Sequence, residues 1–234
     1  MFNQLPSQTC FSAFRSQTLL FVWTVSIYFL NSLLFSSYIY LYLFIPVSGS
    51  MYNKLNFVRE HLNTYLHEQA FLTNLNLNRL FNLIAFSTEI YPWANKMVLW
   101  NNATVARAID WINELETRTG TNTLDALTTA YEDLMCNGVV LITDDLCDQE
   151  PHVLLNQVGA LSHGRPCHCI YVTSGREEDK SAIDFLQHLA VSTNGFFKMV
   201  IVGRHGIEKV VTMRAPQLNL CNNASILLSS LMPA

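Results

Sequence analysis

Charge is scarce in this chain, and over one long stretch it is missing. Only 14% of the 234 residues are Asp, Glu, Lys or Arg, and from Ser16 to Asn53 there are none of these and no His. The formal net charge is -4, which excludes the basic surplus of a nucleic-acid binder. The six cysteines, Cys10, Cys136, Cys147, Cys167, Cys169 and Cys221, form no Cys-x-x-Cys pair, so neither a zinc nor a redox motif is spelled out. Cys167 and Cys169 lie two apart on an expected strand and share a face, where two small buried side chains are a better reading than a soft-metal site. No Gly-x-Ser-x-Gly elbow, Gly-rich phosphate loop or His-Glu-x-x-His occurs. His61 and His67 are six apart on an expected helix, and His152, His163 and His168 are scattered. With no base assignable to Ser48 or Ser50, the chain reads as non-enzymatic.

What is present is apolar. Half the residues are hydrophobic, enough for one sizeable core with extensions. Residues 1–38 form an apolar N-terminal extension, and its segment Thr18 to Tyr38 is long enough to cross a bilayer as a helix, with Arg15 as the only charge before it. Two readings stay open: a single-pass membrane anchor, or an apolar extension that packs as a helix or not at all. Asn102-Ala103-Thr104 and Asn223-Ala224-Ser225 fit the glycosylation triplet, which has meaning only in a secreted chain.

From Ile39 the pattern becomes regular. Strands are expected at Ile39–Ile45, Leu80–Phe86, Gly138–Thr143, Cys167–Val172 and, last, Phe196–Ile201, with an edge strand within Glu89–Leu99 broken at Pro92. Helices are expected at Tyr52–Gln69, Thr104–Thr117 (capped by Asn102 or Thr104), Thr123–Met135, Pro151–Leu161 and Ser181–Val191. Lys198, Arg204, His205 and Lys209 read as a solvated basic face, and residues 212–234 as an irregular tail. Strands that are apolar on both faces and alternate with helices imply an α/β fold: a doubly wound, mostly parallel sheet flanked by helices, over residues 39–211. Ligands of such sheets bind at the carboxyl ends of the strands, at the topological switch point.

Two segments fall there. Pro46-Val47-Ser48-Gly49-Ser50-Met51 follows the first strand, and Asp144-Asp145 closes Gly138–Thr143, with Thr119-Gly120-Thr121-Asn122-Thr123 between them in sequence. Hydroxyls at Ser48, Ser50 and Thr121 with a carboxylate at Asp144 make an all-oxygen set of the kind that suits a hard cation. Each also has a simpler use: Ser48 and Ser50 can cap a helix beginning at Met51, Thr121 one beginning near Thr123, and Asp144 a turn. Asp145 and Asp148 are nearby carboxylates that either add charge to this set or, as is usual in such a loop, are solvated surface.

With that order of residues the chain resembles the von Willebrand factor A domain and its metal-ion-dependent adhesion site, Asp-x-Ser-x-Ser followed by a Thr and an Asp. The resemblance runs from about Ile39 to Val202. Phe81 to Phe86 and Thr119 to Leu127 look most like the large intracellular type-3 von Willebrand A domain proteins. Ser48, Ser50, Thr121 and Asp144 fall on matching positions, and Pro46 stands where the first Asp belongs. The resemblance implies strand order 3-2-1-4-5-6 in a Rossmann-like sheet, a Mg2+ site, a protein partner met by Ser48, Thr121, Asp144 and Asp145, and intracellular, cytoplasmic residence. Because Mg2+ needs negative charge and proline supplies no oxygen, this site is degenerate and is expected to bind Mg2+ weakly or not at all. The function expected is a protein-protein interaction module. The alternatives are a membrane-anchored form of it and a truncated product without independent function.

Overall fold

The computed structural model describes residues 40–73, 78–175, 178–203 and 206–214. The apolar run at 18–38, Cys10, Cys221, Arg204, His205, the triplet at Asn223 and the tail from 215 onward lie outside the described residues.

Strand β1 (Tyr40–Pro46) is the centre of the architecture. It pairs in parallel with β2 (Leu80–Phe86) on one side and with β5 (Gly138–Thr143) on the other. Next to β5 come β6 (Cys167–Thr173) and β7 (Phe196–Gly203), also parallel. Short strands β3 (Ile90–Pro92) and β4 (Val98–Leu99) run antiparallel on β2. With β8 (Gly206–Arg214) at the far edge, the sheet order is β3-β2-β1-β5-β6-β7-β8, with β4 also on β2.

β8 (Gly206–Arg214) corrects the sequence reading, which ended the strands at Ile201. It pairs antiparallel with β7, from Gly203↔Gly206 to Phe196↔Arg214, and so passes the boundary expected at 211. β7 also runs two residues longer than expected. Lys198, expected on a solvated face, is 1% exposed, with its Nζ 5.4 Å from the Phe196 ring centroid.

The helices divide between the two faces. α1 (Leu55–Thr73) and α2 (Asn102–Glu114) cover one face, where Val58, Leu62, Tyr65 and Leu66 of α1 and Val105, Ala108 and Ile112 of α2 pack on Leu41, Leu43 and Ile45. α3 (Thr123–Glu132), α4 (Pro151–Ser162) and α5 (Lys180–Ser192) cover the other, packing on Tyr42 and Phe44. Alternate residues of β1 therefore feed two separate cores, the period-2 consequence of a strand buried on both faces. Complete burial of Leu43, Phe44 and Ile45 is worth about 1.5–3 kcal/mol each.

Helix starts differ from expectation where capping chemistry decides them. α1 begins at Leu55, not Tyr52, because residues 49–51 form a tight 3-10 turn. Asn101, not Asn102, caps α2: its side chain accepts from the Thr104 amide at 2.9 Å, and the Thr104 hydroxyl accepts from the Asn101 amide at 3.1 Å. Asn122, rather than Thr121, caps α3 through the Asp125 amide.

Candidate functional site

The chain leaves β1 at Pro46 and turns at once. The Val47 amide continues the parallel ladder to the Phe86 carbonyl at 3.0 Å, and the Met51 amide donates back to the Ser48 carbonyl at 3.0 Å to form the turn. Met51 is fully buried and pins that turn to the core. The Lys54 amide then donates to the Met51 carbonyl at 2.8 Å, and the Lys54 carbonyl receives the first bond of α1, from Val58, at 3.0 Å. This compact path brings Ser48, Ser50 and Lys54 over the strand tips. Neither serine hydroxyl caps a helix: Ser48 precedes the turn without a side-chain capping bond.

Asp144 follows the last residue of β5, beside β1, and its side chain is fully buried. Ser50 Oγ donates to Asp144 Oδ1 at 2.9 Å. Ser48 Oγ and Ser50 Oγ lie 3.0 Å apart, and since the Ser50 proton is used on the carboxylate, Ser48 is the donor of that bond. Lys54 Nζ donates to Asp144 Oδ2 at 2.7 Å, a charge-assisted contact across 90 positions of chain. The Lys54 side chain retains 22% exposure. Ser48, Ser50 and Asp144, picked out by sequence pattern, thus form one network, and Lys54 completes it.

Thr121 joins the same end of the sheet through its backbone. Its loop is stitched between the β1 and β2 tips: the Arg118 amide donates to the Val47 carbonyl at 2.5 Å, and the Asn122 amide to the Ser87 carbonyl at 2.7 Å. Gly120 at φ 79° makes this fit possible, since an added Cβ would lie 2.3 Å from Thr88 Oγ1. The Thr121 amide donates to Asp148 Oδ2 at 2.5 Å and its carbonyl accepts from the Asp148 amide at 3.2 Å. Asp148, expected as plain solvated surface, therefore ties the β5 loop to the Thr121 loop. Asp145 is exposed, and its Oδ1 accepts from the Leu146 amide at 2.8 Å.

Sequence reasoning missed Lys54 and Asn122, and it named Asp148 without its bond to the Thr121 amide. One signal for Lys54 was available: it is the first charged residue after the uncharged run ending at Asn53. The other polar candidates stay apart from this tip. Cys167 and Cys169 are buried free thiols with Sγ atoms 3.9 Å apart. His168 is buried, stacked on Phe196 at 4.2 Å, and burial followed by the nearby Lys198 charge pushes its pKa down to about 4. Burial also lowers His61. Among the described residues no group of three or more His, Cys, Asp or Glu side chains is placed to hold a metal ion. Nor is any helix among them long and apolar enough to cross a membrane.

Comparison with known proteins agrees with the fold. Residues 43–199 match the von Willebrand factor type A domain. The chain is 30% identical over 157 residues to human (Homo sapiens) von Willebrand factor A domain-containing protein 3B, covering 67% of this chain and 11% of that protein. It is 28% identical over 166 residues to human von Willebrand factor A domain-containing protein 3A, covering 71% of this chain and 14% of that protein. The match thus spans a small part of either relative. Among solved structures, a von Willebrand factor type A protein from Catenulispora acidiphila superposes with a TM-score of 0.56 at 16% identity, covering 70% of this chain and 39% of that one. The pilus adhesin SpaC from Lactobacillus rhamnosus GG, in its open conformation, gives 0.55 at 15% identity, covering 68% and 27%. At such identities these two likenesses speak for the fold alone. The chain belongs to the von Willebrand factor type A domain family, a family of protein-interaction modules.

Proposed function

We propose that this domain is a non-enzymatic protein-interaction module whose contact face is the tip formed by the loops after β1, β2 and β5. The observation behind this reading is the tip itself. The loop carrying Arg118, Thr121 and Asn122 is tied to the segments after β1, β2 and β5 by bonds at the Val47, Ser87 and Thr121 carbonyls, and the exposed Asp145 and Ser50 stand on that fixed platform at the switch point of the sheet. Ser48, Thr121, Asp144 and Asp145 belong to this face, the first three as its support and Asp145 as a direct contact. The serines do not resemble a nucleophile pair. Their protons lead to a carboxylate already paired with Lys54, so no free base activates them. Intracellular residence is part of the proposal, and the buried, unlinked Cys136, Cys147, Cys167 and Cys169 suit a reducing compartment.

The test is site-specific photo-crosslinking in cells, with the reactive amino acid at Asp145 or, at the other end of β5, at the 94% exposed Leu134. A defined protein adduct from position 145 that is missing from position 134 is the expected result. Adducts from position 134 alone would move the contact face to the opposite end of the sheet.

A further inference from the structure

The resemblance implies a divalent cation at this tip, and the residues present do not fit one. A Mg2+ site needs oxygens with free lone pairs and enough negative charge to repay dehydration. Asp144 is the one carboxylate in the network, and both its oxygens are engaged, Oδ1 by Ser50 and Oδ2 by Lys54. Pro46, at the end of β1 and paired with Phe86, has no side-chain oxygen to offer. Lys54 brings a positive charge to 2.7 Å from the atom a metal would need.

We propose that the Lys54 ammonium is a tethered cation that takes the place of a divalent ion, so that the tip is held in shape, and meets its protein partner, without metal. The partner half of this statement rests on the contact face proposed above; the exclusion of metal does not. A buried carboxylate has to be neutralised or paired. In this chain the compensating charge is covalently attached, on the turn that opens α1, so it costs no ligand entropy and depends on no ion concentration. It also carries a single charge and no open coordination position. A partner carboxylate therefore finds no metal to bridge to, and recognition falls to the exposed surface around Asp145 and Ser50.

Two substitutions separate the parts of the argument. Titration calorimetry with Mg2+ and with Mn2+ is carried out on the parent chain, Pro46→Asp, Lys54→Met and the double variant. The parent and both single variants are expected to give no heat of binding at millimolar ion. The double variant, with a second carboxylate supplied and the ammonium removed, gains binding at least tenfold tighter than any of them. Micromolar binding by the parent, or binding by Pro46→Asp as tight as by the double variant, overturns the proposal, because Lys54 would then be no barrier. Should the double variant not fold, amide NMR of the parent with added Mn2+ decides. Unaffected signals for residues 48–50 and 144 support the tethered cation, and broadening confined to them refutes it. Photo-adduct yield at position 145 is expected to be the same in EDTA and in Mg2+. A yield that collapses in EDTA while the parent shows no ion binding would place a metal on the partner and leave Lys54 in its role, whereas absence of any adduct would remove the contact face alone.

Discussion

The two ends of β5 each carry a carboxylate tied to a residue of the β1 segment, and they are tied by different chemistry. At the amino end, Asp133 Oδ2 accepts from the Tyr42 hydroxyl at 2.8 Å and its Oδ1 from the Met135 amide at 2.9 Å. At the carboxyl end, Asp144 takes Ser50 and Lys54. Asp133 is half-buried, keeps contact with water and is served by neutral donors. Asp144 has no exposed side-chain surface, and its lost hydration is replaced by the Ser50 hydroxyl and by the charge-assisted bond from Lys54. Degree of burial therefore explains why one end of the strand uses a phenol and the other a lysine. The Tyr42 hydroxyl, pushed well above its usual range by burial and by Asp133, stays a donor at every ordinary pH.

The sharpest way to break this comparison is to remove the ammonium. Lys54→Met strands a buried carboxylate with one hydroxyl donor and should lower the unfolding free energy by about 3 kcal/mol in urea titration, at the lower edge for broken buried pairs because Lys54 is partly solvated. Asp144→Asn should cost less, about 1 kcal/mol, since a lysine freed from its partner can turn its head to water. The double variant should cost less than the two combined, giving a favourable coupling in a double-mutant cycle. Equal costs for the two single changes would make the contact an ordinary surface pair.

A third polar group, the buried His168, sharpens the contrast, because Lys198 beside it opposes its charged form. His168 accepts from the Phe196 amide at Nδ1, 3.3 Å away, which requires the neutral ring, and Lys198 repels the charged form. Its folded pKa, about 4, lies below the ordinary value of 6.5. The unfolded chain then takes up the proton first as pH falls. The contribution is intact above the unfolded pKa and is lost on acidification towards the folded one. Between about pH 7 and pH 5 this removes about 2 kcal/mol. In His168→Gln the slope of stability against pH over that interval should flatten, leaving the smaller share due to His61. An unchanged slope would mean that the ring is charged in the fold.

These three sites also show what the sequence can and cannot spell out. β1, β2, β5 and β6 were legible because strands buried on both faces read as unbroken apolar runs. β8 was not, because Gly206–Arg214 is an edge strand that mixes Glu208, Lys209 and Thr212 with Ile207, Val210 and Val211. Ser48, Ser50 and Asp144 were legible because oxygen donors at the ends of neighbouring strands converge wherever the sheet is parallel. Lys54 was not, since its pairing with Asp144 spans 90 positions and depends on a 3-10 turn that no periodicity announces. Lys198 was misread because a lysine inside a basic cluster looks solvated, whereas it stands on β7, paired with Thr212 of β8, and is 1% exposed with its Nζ by the Phe196 ring.

Tyr42→Phe tests the amino end of the comparison. It removes one hydrogen bond to a half-buried acceptor that water can re-solvate, so a loss of about 1 kcal/mol is expected in urea titration. A loss as large as that of Lys54→Met would show that Asp133 is as starved of water as Asp144.

The smallest expected effect belongs to the residue proposed to matter most for recognition. Asp145 stands in water, and its backbone is held independently of its carboxylate by the Thr143 hydroxyl, which accepts from the Asp145 amide at 3.3 Å and donates to the Asp145 carbonyl at 3.1 Å. Asp145→Asn should therefore change stability by less than about 0.5 kcal/mol. Asp145→Lys, equally harmless to the fold, should abolish most of the photo-adduct formed from the neighbouring exposed Ser50 position, because a charge of the wrong sign at a contact rim slows encounter and costs affinity. If the lysine variant keeps both its stability and its full adduct yield, the rim charge plays no part in recognition. The Lys54–Asp144 pair would then be what it is at its simplest, a strut beneath a surface that meets its partner elsewhere.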